Sequence, residues 1–348
     1  MHPRVAIIIL NWNGLNDTLE CLESLFKMSY PNYEVYVVDN ASKEDELGAI
    51  KDWKDSKDWK DGKEIHFFQN KENLGFAEGN NVGIRKALED SAEYIFTLNN
   101  DTVVDPDFLT AAVDAAIGTG AGIIATTMVN YYHRTKLDNT GHLLLTTGDT
   151  VPRSRNERTT KYELRTDPMG ACAGAALYSA EMLKKIGLFD QDFFLNYEDS
   201  DLSLRAIVQG WRCVHSPGSI VYHKLNASIG KIKDSGYRIR SQRNQLWAYF
   251  HNTPLTVILL NSPWIILREI LVPIISVLTF RWTITRIIVG SRREFLKSLP
   301  DVLKKRRKVL RHQKISGFLY WSQQSSWFST YWKYFQAVVI KRKDSVMD

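Results

Sequence analysis

Several familiar signatures are missing from this chain of 348 residues. It has no phosphate-binding loop of the form GxxxxGKS/T and no GxGxxG after its first apolar run, which weakens any ordinary NTPase or dinucleotide-binding interpretation. The run at residues 5–10 is too short for the core of a signal peptide, so we interpret it as a first buried strand in a cytoplasmic protein. The few cysteines form an odd set without metal-type spacing and are expected to be incidental thiols in a reducing compartment: Cys21, Cys172 and Cys213.

Long uninterrupted apolar runs are also absent. The most apolar segment, residues 254–280, is broken by Pro263, Pro273 and the pair Arg268 and Glu269. No unbroken piece reaches the roughly 20 residues that a bilayer-spanning helix needs. We therefore predict a re-entrant or interfacial helical hairpin at a membrane surface. The alternative is a buried helical pair inside the fold.

Positive charge is concentrated directly after this segment. Residues 281–314 hold twelve Lys or Arg against two acidic residues, a balance of +10 compared with +6 for the whole chain. Such a block suits anionic lipid or nucleic acid. Because no nucleic-acid module is recognisable, we expect no nucleic-acid partner and predict a polybasic helix on anionic lipid. Aromatic residues near the C-terminus favour the membrane interface: Trp321, Trp327, Tyr331, Trp332 and Tyr334.

The first hundred residues alternate between strand and helix patterns. Strands are predicted at 5–10, 33–38, 65–68 and 94–98, and helices at 15–26 and 76–88. This βαβ rhythm is typical of a parallel, doubly wound α/β sheet. A doubled six-residue unit at 51–56 and 57–62 is predicted to be a surface extension without chemistry.

Polar residues follow each of these strands. They stand at residues 11–14, 39–42, 73–81 and 99–101, and the carboxyl ends of parallel strands meet at one edge of a sheet, where α/β folds bind ligands. Asp101, a lone carboxylate after a buried strand, offers an oxygen ligand to a divalent cation. Turns and helix caps are the alternative use of such residues. Together the loops predict a nucleotide site.

In this order the motifs resemble those of family 2 glycosyltransferases with the GT-A fold. Within the family they look like the bacterial rhamnosyltransferase branch, which builds lipopolysaccharide O-antigens and other cell-wall glycans. The resemblance covers residues 3–250. It implies an α/β GT-A fold, Rossmann-like, with a mostly parallel central sheet flanked by helices. A nucleotide-sugar half would occupy residues 1–105, an acceptor and catalytic half residues 106–250, and a helical, membrane-associating region residues 251–348.

The resemblance also implies a donor site. Asp39 would read the pyrimidine ring, Asp101 would hold Mg²⁺ or Mn²⁺ against the diphosphate, and Asn99 departs from the first Asp of the family's Asp-x-Asp. The missing charge predicts weak metal binding without nucleotide. Arg243 would reach the diphosphate, with helix-surface salt bridging as the alternative. The other residues expected at the nucleotide-sugar are Asn11, Asn13, Asn40, Asn73, Gly75, Asn80, Asn99 and Asn100.

Acceptor chemistry is expected from the second half. Residues 170–176 are small and suit either close approach to a sugar or tight packing. Three carboxylates begin a predicted amphipathic helix, more than its dipole requires. By resemblance Asp199 is the general base and Glu198 orients the acceptor or Asp199, while Asp201 is expected to pair with Arg205 one turn on. His223 resembles a late histidine that reaches the metal, and a local hydrogen bond is its alternative role.

The function implied is an inverting, metal-dependent sugar transfer. A base takes a proton from the acceptor hydroxyl while a metal neutralises the departing diphosphate. The resemblance favours rhamnose from dTDP-rhamnose, moved to a lipid-linked glycan at the cytoplasmic face of the plasma membrane. A UDP-sugar-dependent transferase and a non-catalytic nucleotide-sugar or glycan-binding protein remain alternatives, and the oligomeric state stays open.

Overall fold

The computed structural model describes residues 2–57, 64–159, 167–225 and 235–335. Its strands are β1 (Val5–Asn11), β2 (Tyr33–Asp39), β3 (Ile65–Gln69), β4 (Tyr94–Asn99), β5 (Thr102–Val104), β6 (Ile123–Asn130), β7 (Leu137–Asn139), β8 (His142–Leu144), β9 (Thr150–Pro152), β10 (Ala175–Ser179) and β11 (Cys213–His223). Its helices are α1 (Leu15–Leu25), α2 (Glu46–Asp55), α3 (Gly75–Glu89), α4 (Phe108–Thr119), α5 (Ala180–Ile186), α6 (Glu198–Val208), α7 (Ser235–Asn252), α8 (Leu255–Leu278), α9 (Trp282–Lys297), α10 (Leu299–Leu310), α11 (Gly317–Ser322) and α12 (Trp327–Phe335).

One large sheet runs through both predicted halves of the chain. Its order is β3-β2-β1-β4-β10-β6-β11-β5, with β7 paired to β6, while β8 and β9 form a separate hairpin. The pairs from β3 to β4 are all parallel, as predicted. Beyond β4 the sheet is mixed, because β10 runs antiparallel to both of its neighbours and β11 runs parallel to β6. The α/β, GT-A-like architecture is confirmed, but the prediction of a mostly parallel sheet is wrong, because four of the eight strand pairings of this sheet among the described residues are antiparallel.

Helices cover both faces of this sheet. Ile7 and Ile9 of β1 pack with Leu22 of α1 on one face, and Ile8 packs with Ile84 of α3 on the other. All five side chains are at most 1% exposed. A strand that is buried on both faces needs apolar residues at every position, which explains the unbroken run in β1. Each such side chain contributes about 1.5–3 kcal/mol of hydrophobic stabilisation.

The C-terminal helices pack against this α/β body. Leu204 of α6 and Leu144 of β8 share a buried cluster with Tyr249 of α7, Val257 of α8 and Tyr320 of α11. The described residues after residue 251 are therefore attached to the preceding part of the chain through a common core.

The predicted hairpin at residues 254–280 is wrong, because the segment forms a single helix, α8, of 24 residues with Pro263 and Pro273 inside it. Each proline removes only one backbone hydrogen bond, at a cost of about 3 kcal/mol, and the helix continues through both. Arg268, in the middle of α8, is buried against Asp149. By length and composition alone α8 could cross a membrane, and 11% of its most apolar stretch is buried.

The basic block also differs from the prediction. It forms two helices, α9 and α10, which meet at Ser298, instead of one polybasic helix. The first copy of the doubled unit lies in α2 and its C-cap, whereas residues 58–62 of the second copy lie outside the described residues. The side chain of Tyr334 is likewise outside them.

Candidate active site

The loops after β1 and β2 are joined by a buried pair, Asn11 and Asp39. Asn11 donates to Oδ1 of Asp39 at 2.9 Å and accepts a hydrogen bond from the Thr18 hydroxyl at 2.7 Å. Asp39 also accepts from the backbone N–H and the hydroxyl of Ser42, at 3.1 and 2.6 Å. A carboxylate has about four acceptor positions. Asp39 is only 1% exposed and holds the two loops together. With three hydrogen bonds already accepted, it has little acceptor capacity left for the pyrimidine ring of a nucleotide.

The loop after β1 is fixed from the α2 side as well. Oε2 of Glu46 accepts from Asn11 at 2.8 Å and from the backbone N–H of Gly14 at 3.0 Å. Asn13 adopts a left-handed backbone, with φ of 51°, and its side-chain oxygen accepts from the N–H of Lys43 at 2.9 Å. These bonds fix the first strand-end loop to α2 and to the loop after β2.

Asn40 organises the loop that precedes α3. Its amide nitrogen donates to Asn73 Oδ1 at 2.9 Å and to the carbonyl of Gly75 at 3.1 Å. Its oxygen accepts from the Asn70 amide and the Leu74 N–H, both at 3.0 Å. These bonds use the full capacity of an amide side chain. Asn40 and Asn73 thus shape the predicted nucleoside pocket, and Asn40 has no position left for a ligand.

The first turn of α3 meets the loop before α6. The carbonyl of Phe194 accepts from the N–H groups of Phe76 and Ala77, at 2.6 and 3.2 Å. Gly75 has φ of +76°, and a Cβ there would collide with the same carbonyl, so glycine is required. Asn80, predicted to line the pocket, is 1% exposed and donates to the carbonyl of Phe76 inside α3.

Strained backbone leads directly into α6. Phe194, Asn196 and Tyr197 all have positive φ, at 60°, 71° and 68°. Such conformations cost of order 1 kcal/mol or more each and persist only where the surroundings impose them. Asn244 of α7 supplies that constraint, since its amide donates to three carbonyls of the segment, those of Phe193, Leu195 and Asn196.

A loop of small residues lies between the end of β4 and the start of α6. The N–H of Asn99 donates to the carbonyl of Gly174 at 2.8 Å, and the N–H of Ala173 donates to Oδ2 of Asp199 at 3.1 Å. A Cβ at Gly174 would lie 3.0 Å from the Asn99 amide nitrogen. The predicted small-residue run is therefore packed tightly at this point. This single short loop contacts both the end of β4 and Asp199.

Asp101 and His223 are brought together as a charged pair. Oδ1 of Asp101 lies 3.3 Å from Nε2 of His223, whose Nδ1 lies 2.8 Å from Oδ2 of Asp138. Burial alone would raise the pKa of Asp101, but the hydrogen bond and charge of His223 hold it below its usual range. Burial would lower the pKa of His223, yet the two carboxylates raise it to about 10. Asn100 donates to the Thr18 hydroxyl at 3.0 Å.

Glu198 and Asp199 begin α6 in different surroundings. Asp199 is partly exposed, and its Oδ1 accepts from the Ser200 N–H at 2.6 Å. Nε2 of His142 lies 3.9 Å from its Oδ2. Glu198 is 5% exposed, and its Oε2 has no hydrogen-bond partner among the described residues. Burial, followed by the charge of Asp199, raises the pKa of Glu198 well above its usual range, which favours a neutral carboxyl.

The predicted pair of Asp201 and Arg205 is confirmed at 3.2 Å. Asp201 also accepts from Asn252 at 2.8 Å and lies 3.2 Å from Nδ1 of His251, so it ties α6 to α7. Burial opposes its ionisation, but the charge of Arg205 and the two α7 side chains lower the pKa of Asp201 to about 2. The third carboxylate of this helix is structural.

Arg243 has its described contacts within the helical region. Its guanidinium lies 3.9 Å from the centre of the Trp247 ring, donates to Asn244 Oδ1 at 2.8 Å, and lies 3.7 Å from Oε2 of Glu294. These contacts match the helix-surface alternative. The contact of Arg243 with a diphosphate stays a prediction.

A match to a protein-family model identifies the family of this chain. The model described as Glycosyl transferase family 2 matches residues 6–187, just over half of the chain and all of its strands up to β10. The chain belongs to glycosyl transferase family 2. Its matched region includes every strand-end loop described above and stops before Glu198, Asp199 and His223.

Relatives of this family 2 chain are known from their sequences. It is similar to an uncharacterised glycosyltransferase of Rickettsia bellii (strain RML369-C), with 37% identity over 98 residues, which is 28% of this chain and 13% of that protein. It is also similar to protein y4gI of Sinorhizobium fredii (strain NBRC 101917 / NGR234), with 24% identity over 257 residues, 69% of this chain and 26% of that protein. The chain spans about a quarter or less of the length of these curated relatives.

Solved structures share the fold of the family 2 chain at low identity. A mannosyltransferase from Pyrobaculum calidifontis in complex with GDP-Man and Mn²⁺ has a TM-score of 0.55 and 16% identity, covering 90% of this chain and 84% of that one. TarS of S. aureus in complex with UDP-GlcNAc has a TM-score of 0.50 and 16% identity, covering 72% and 68%. GalNAc-T7 with UDP, GalNAc and Mn²⁺ has a TM-score of 0.55 and 13% identity, covering 71% and 47%. These likenesses establish the fold.

In this family 2 site a divalent cation would bind Asp101 and His223 in place of the proton that the charged imidazole shares with Asp101, because a metal-binding histidine is neutral. A carboxylate oxygen and an imidazole nitrogen face one another at 3.3 Å, and the second ring nitrogen is held by Asp138, as is usual for a metal-binding histidine. Oxygen ligands suit Mg²⁺ and Mn²⁺. Two protein ligands leave most of the coordination sphere to other oxygen atoms, such as those of a diphosphate.

Sequence reasoning missed Asp138 and His142. Asp138 lies 85 positions from His223, and His142 lies 58 positions from Ser200, whose hydroxyl is 3.4 Å from the imidazole. Neither residue belongs to a local pattern, so the sequence carried no signal for them. His142, Cys172 and Asp199 also place their ligand atoms within 4.8 Å of one another, a group that includes the predicted base.

Proposed function

We propose that this family 2 chain is an inverting, metal-dependent glycosyltransferase that uses a nucleotide-sugar donor. One observation carries the proposal: the small loop 172–174 accepts from Asn99 at the end of β4 and donates to Asp199 at the start of α6. A carboxylate suited to proton transfer therefore stands one loop away from the strand that leads to Asp101. Direct displacement at an anomeric carbon requires a base and a leaving-group site that can both reach one sugar.

The chemistry follows from the protein's own groups. Asp199, partly exposed and oriented by the N–H groups of Ala173 and Ser200, takes the proton from the acceptor hydroxyl as that oxygen attacks. Glu198, favoured in its neutral form, carries a proton beside it and can donate a hydrogen bond to a sugar oxygen. A divalent cation bound at Asp101 and His223 would neutralise charge on the departing diphosphate. The hydrogen-bonded strand-end loops would form the wall of the nucleoside pocket.

The finer assignment is rhamnose from dTDP-rhamnose, transferred to a lipid-linked glycan. It is supported by the motif resemblance at residues 11–13, 39–42 and 73–81. The neighbours named above carry GDP-Man, UDP-GlcNAc or UDP, so their ligands do not favour one sugar. The lipid-linked acceptor and the cytoplasmic membrane face are supported by the exposed apolar side chains of α8, which include Leu259, Leu260 and Ile266.

A donor screen tests the proposal. Protein purified in detergent is incubated with Mg²⁺ or Mn²⁺ and with dTDP-rhamnose, UDP-sugars or GDP-sugars, and release of nucleoside diphosphate is measured with and without EDTA. We expect release from dTDP-rhamnose, lost in EDTA and lost in Asp101→Asn. Asp114→Asn, a change at an exposed position of α4, is the matched control and keeps the activity.

The other outcomes separate the parts of the proposal. Release from a UDP-sugar keeps the mechanism and replaces the donor. Release that persists in EDTA contradicts the metal role of Asp101. If no donor is turned over, calorimetry with the nucleoside diphosphates and Mn²⁺ decides, because absence of metal-dependent binding contradicts a nucleotide-sugar enzyme.

A further inference from the structure

A histidine, a cysteine and an aspartate from three separate segments meet at the start of α6. His142 is the first residue of β8, Cys172 stands in the small loop before β10, and Asp199 lies in the first turn of α6. One ligand atom from each residue, an imidazole nitrogen, a thiol sulfur and a carboxylate oxygen, lies within 4.8 Å of the other two. The sequence shows no metal-type spacing around Cys172, because this triad is assembled from positions tens of residues apart.

The separations within the triad suit a small tetrahedral cation. Zn²⁺ binds nitrogen and oxygen at about 2.0–2.2 Å and thiolate sulfur at about 2.3 Å, so the ligand atoms of a tetrahedral zinc site lie about 3.3–3.7 Å apart. Nε2 of His142 lies 3.9 Å from Oδ2 of Asp199. Closure of the three groups on the ion therefore needs shifts of about 1 Å or less for each group, and water can take the fourth position.

Neighbouring groups orient two of the ligands. Nδ1 of His142 lies 3.4 Å from the Ser200 hydroxyl, and the other ring nitrogen, Nε2, faces Asp199. The N–H groups of Ala173 and Ser200 donate to different oxygens of Asp199, at 3.1 and 2.6 Å, and hold its carboxylate plane. Hydrogen bonds of this kind behind the ligands fix the geometry of metal sites. Cys172 and Asp199 are both partly exposed, so an ion can reach them from solvent.

The surroundings of the Cys172 sulfur are negative. Burial, followed by the charge of Asp199, raises the pKa of this thiol above its usual range. The charges of Asp138 and Glu198 act in the same direction, whereas a hydrogen bond from the Gly174 N–H favours the thiolate. A divalent cation is attracted by the same carboxylates. It binds the thiolate and displaces the thiol proton to solvent.

We propose that His142, Cys172 and Asp199 form a Zn²⁺ site that, when filled, withdraws Asp199 from proton transfer. Thiolate and imidazole ligands select Zn²⁺, whereas carboxylate and diphosphate oxygens suit Mg²⁺ and Mn²⁺. The triad shares no ligand with the cation position at Asp101 and His223. The zinc site itself is argued from the geometry of the triad, and only its inhibitory effect rests on the proposed function. A carboxylate that is bound to Zn²⁺ no longer offers that oxygen to an acceptor hydroxyl.

Co²⁺ serves as the spectroscopic probe, because a thiolate bound to it gives a charge-transfer band in the near ultraviolet. Titration of the full chain with Co²⁺ should produce this band, and Zn²⁺ should remove it by displacement. Cys172→Ala should lose the band. Cys213→Ala makes the same change at a buried cysteine of β11 and should keep it. No band in the wild-type chain, a band that persists in Cys172→Ala, or equal losses in both variants would overturn the site.

A second variant tests the site without removing the sulfur. His142→Asn keeps the thiolate and should weaken Co²⁺ binding roughly tenfold or more. Circular dichroism shows whether each variant is folded, so the histidine variant decides if Cys172→Ala does not fold. Unchanged Co²⁺ affinity in His142→Asn would contradict its place among the ligands.

Turnover measures the consequence for the enzyme. In the donor assay with excess Mg²⁺, Zn²⁺ should inhibit release of nucleoside diphosphate, and His142→Asn should raise the inhibitory concentration roughly tenfold or more. Inhibition that is equal in the wild type and in His142→Asn, and that more Mg²⁺ relieves, would place Zn²⁺ at Asp101 and overturn the inhibitory role. The cobalt band needs no activity, so its absence overturns the zinc site alone. Absent metal-dependent binding of nucleoside diphosphate overturns the proposed function, and the inhibitory role with it.

Discussion

Glu198 and Asp199 are adjacent in the sequence, yet their carboxyl groups have different surroundings. Glu198 is buried with an unpartnered oxygen, and burial together with the charge of Asp199 raises its pKa. Asp199 remains partly exposed and accepts from two backbone N–H groups. Two neighbouring acids held in unequal environments can divide the roles of proton carrier and base between them.

Asp199→Asn therefore tests the base directly. Removing a positioned base typically costs about 10² to 10⁴ in rate, so we expect kcat to fall within this range. Affinity for the nucleoside diphosphate should change little, because Asp199 lies beyond the small loop from the donor strand. Single-turnover kinetics and calorimetry measure the two quantities.

A matched control for this variant is Asp167→Asn. Asp167 is an exposed carboxylate paired with Arg212, and its loss should leave kcat near the wild-type value. Wild-type turnover by Asp199→Asn would exclude the base role, whereas a parallel loss of nucleotide affinity would indicate that the substitution disturbs the fold.

Two elements that are distant in sequence meet at the site. The first turn of α3 donates its N–H groups to Phe194, in the strained segment before α6, and Asn244 of α7 holds that segment from the other side. A helix N-terminus needs such acceptors for its free N–H groups. The geometry of Glu198 and Asp199 thus depends on α3 and α7 as well as on their own helix.

Gly75→Ala should disturb this junction. Its φ of +76° and the collision of a Cβ with the Phe194 carbonyl predict a loss of about 1–3 kcal/mol in the free energy of unfolding. Gly118→Ala is the control, because it lies in α4 with open space around it and should be neutral or stabilise the protein by up to about 1 kcal/mol. Urea unfolding of the two variants provides the comparison, and equal stabilities would contradict the role of Gly75.

Acid should weaken the contact between α6 and α7. The pKa of Asp201 is about 2 in the folded protein, below its usual 3.8, so its stabilisation is present above pH 4 and is lost as the pH falls through 2. A shift of this size corresponds to about 2 kcal/mol. Asp201→Asn should destabilise the protein at pH 7, with a deficit that shrinks as the pH is lowered toward 2. Unfolding measured from pH 7 to pH 3 tests this, and a deficit independent of pH would contradict it.

At the scale of the whole molecule, one sheet and one helical region share a core. The C-terminal helices bury Tyr249, Val257 and Tyr320 against β8 and α6, while α8 leaves most of its apolar surface exposed beside the basic helices α9 and α10. Exposed apolar and cationic side chains in adjacent elements are typical of proteins that lie on anionic membranes.

Liposome binding tests this arrangement. We expect the protein to sediment with anionic vesicles and not with zwitterionic ones, and to bind neither duplex DNA nor RNA under the same conditions. The double variant Arg293→Glu, Lys297→Glu on α9 should weaken vesicle binding roughly 30-fold, since each cation near the surface contributes about 1 kcal/mol.

The same charge change elsewhere controls for net charge. Lys27→Glu with Lys71→Glu alters two exposed lysines outside the C-terminal helices and should leave vesicle binding within about a factor of two of the wild type. Equal losses in both double variants, or RNA binding as tight as vesicle binding, would contradict a membrane surface on α9.

Much of the first half of the fold could be predicted because its signals are local. The strands predicted at 5–10 and 94–98 are observed as Val5–Asn11 and Tyr94–Asn99, and the helix predicted at 76–88 as Gly75–Glu89. The antiparallel strand β10 and the distant partner of β5 could not be predicted, since strand order depends on pairings between remote segments. The hairpin prediction failed because prolines are weak evidence for a turn when the flanking residues favour a helix.

The sequence alone determined the α/β class, the polar strand ends and the pair of Asp201 and Arg205, because alternation, helical periodicity and a spacing of four residues are properties of neighbouring positions. Only the tertiary structure decided that Asp138 stands behind His223, that His142 faces Asp199, and that α8 is continuous. These features arise between segments separated by tens of residues, where the physical cause is packing of the whole chain and no local pattern records it.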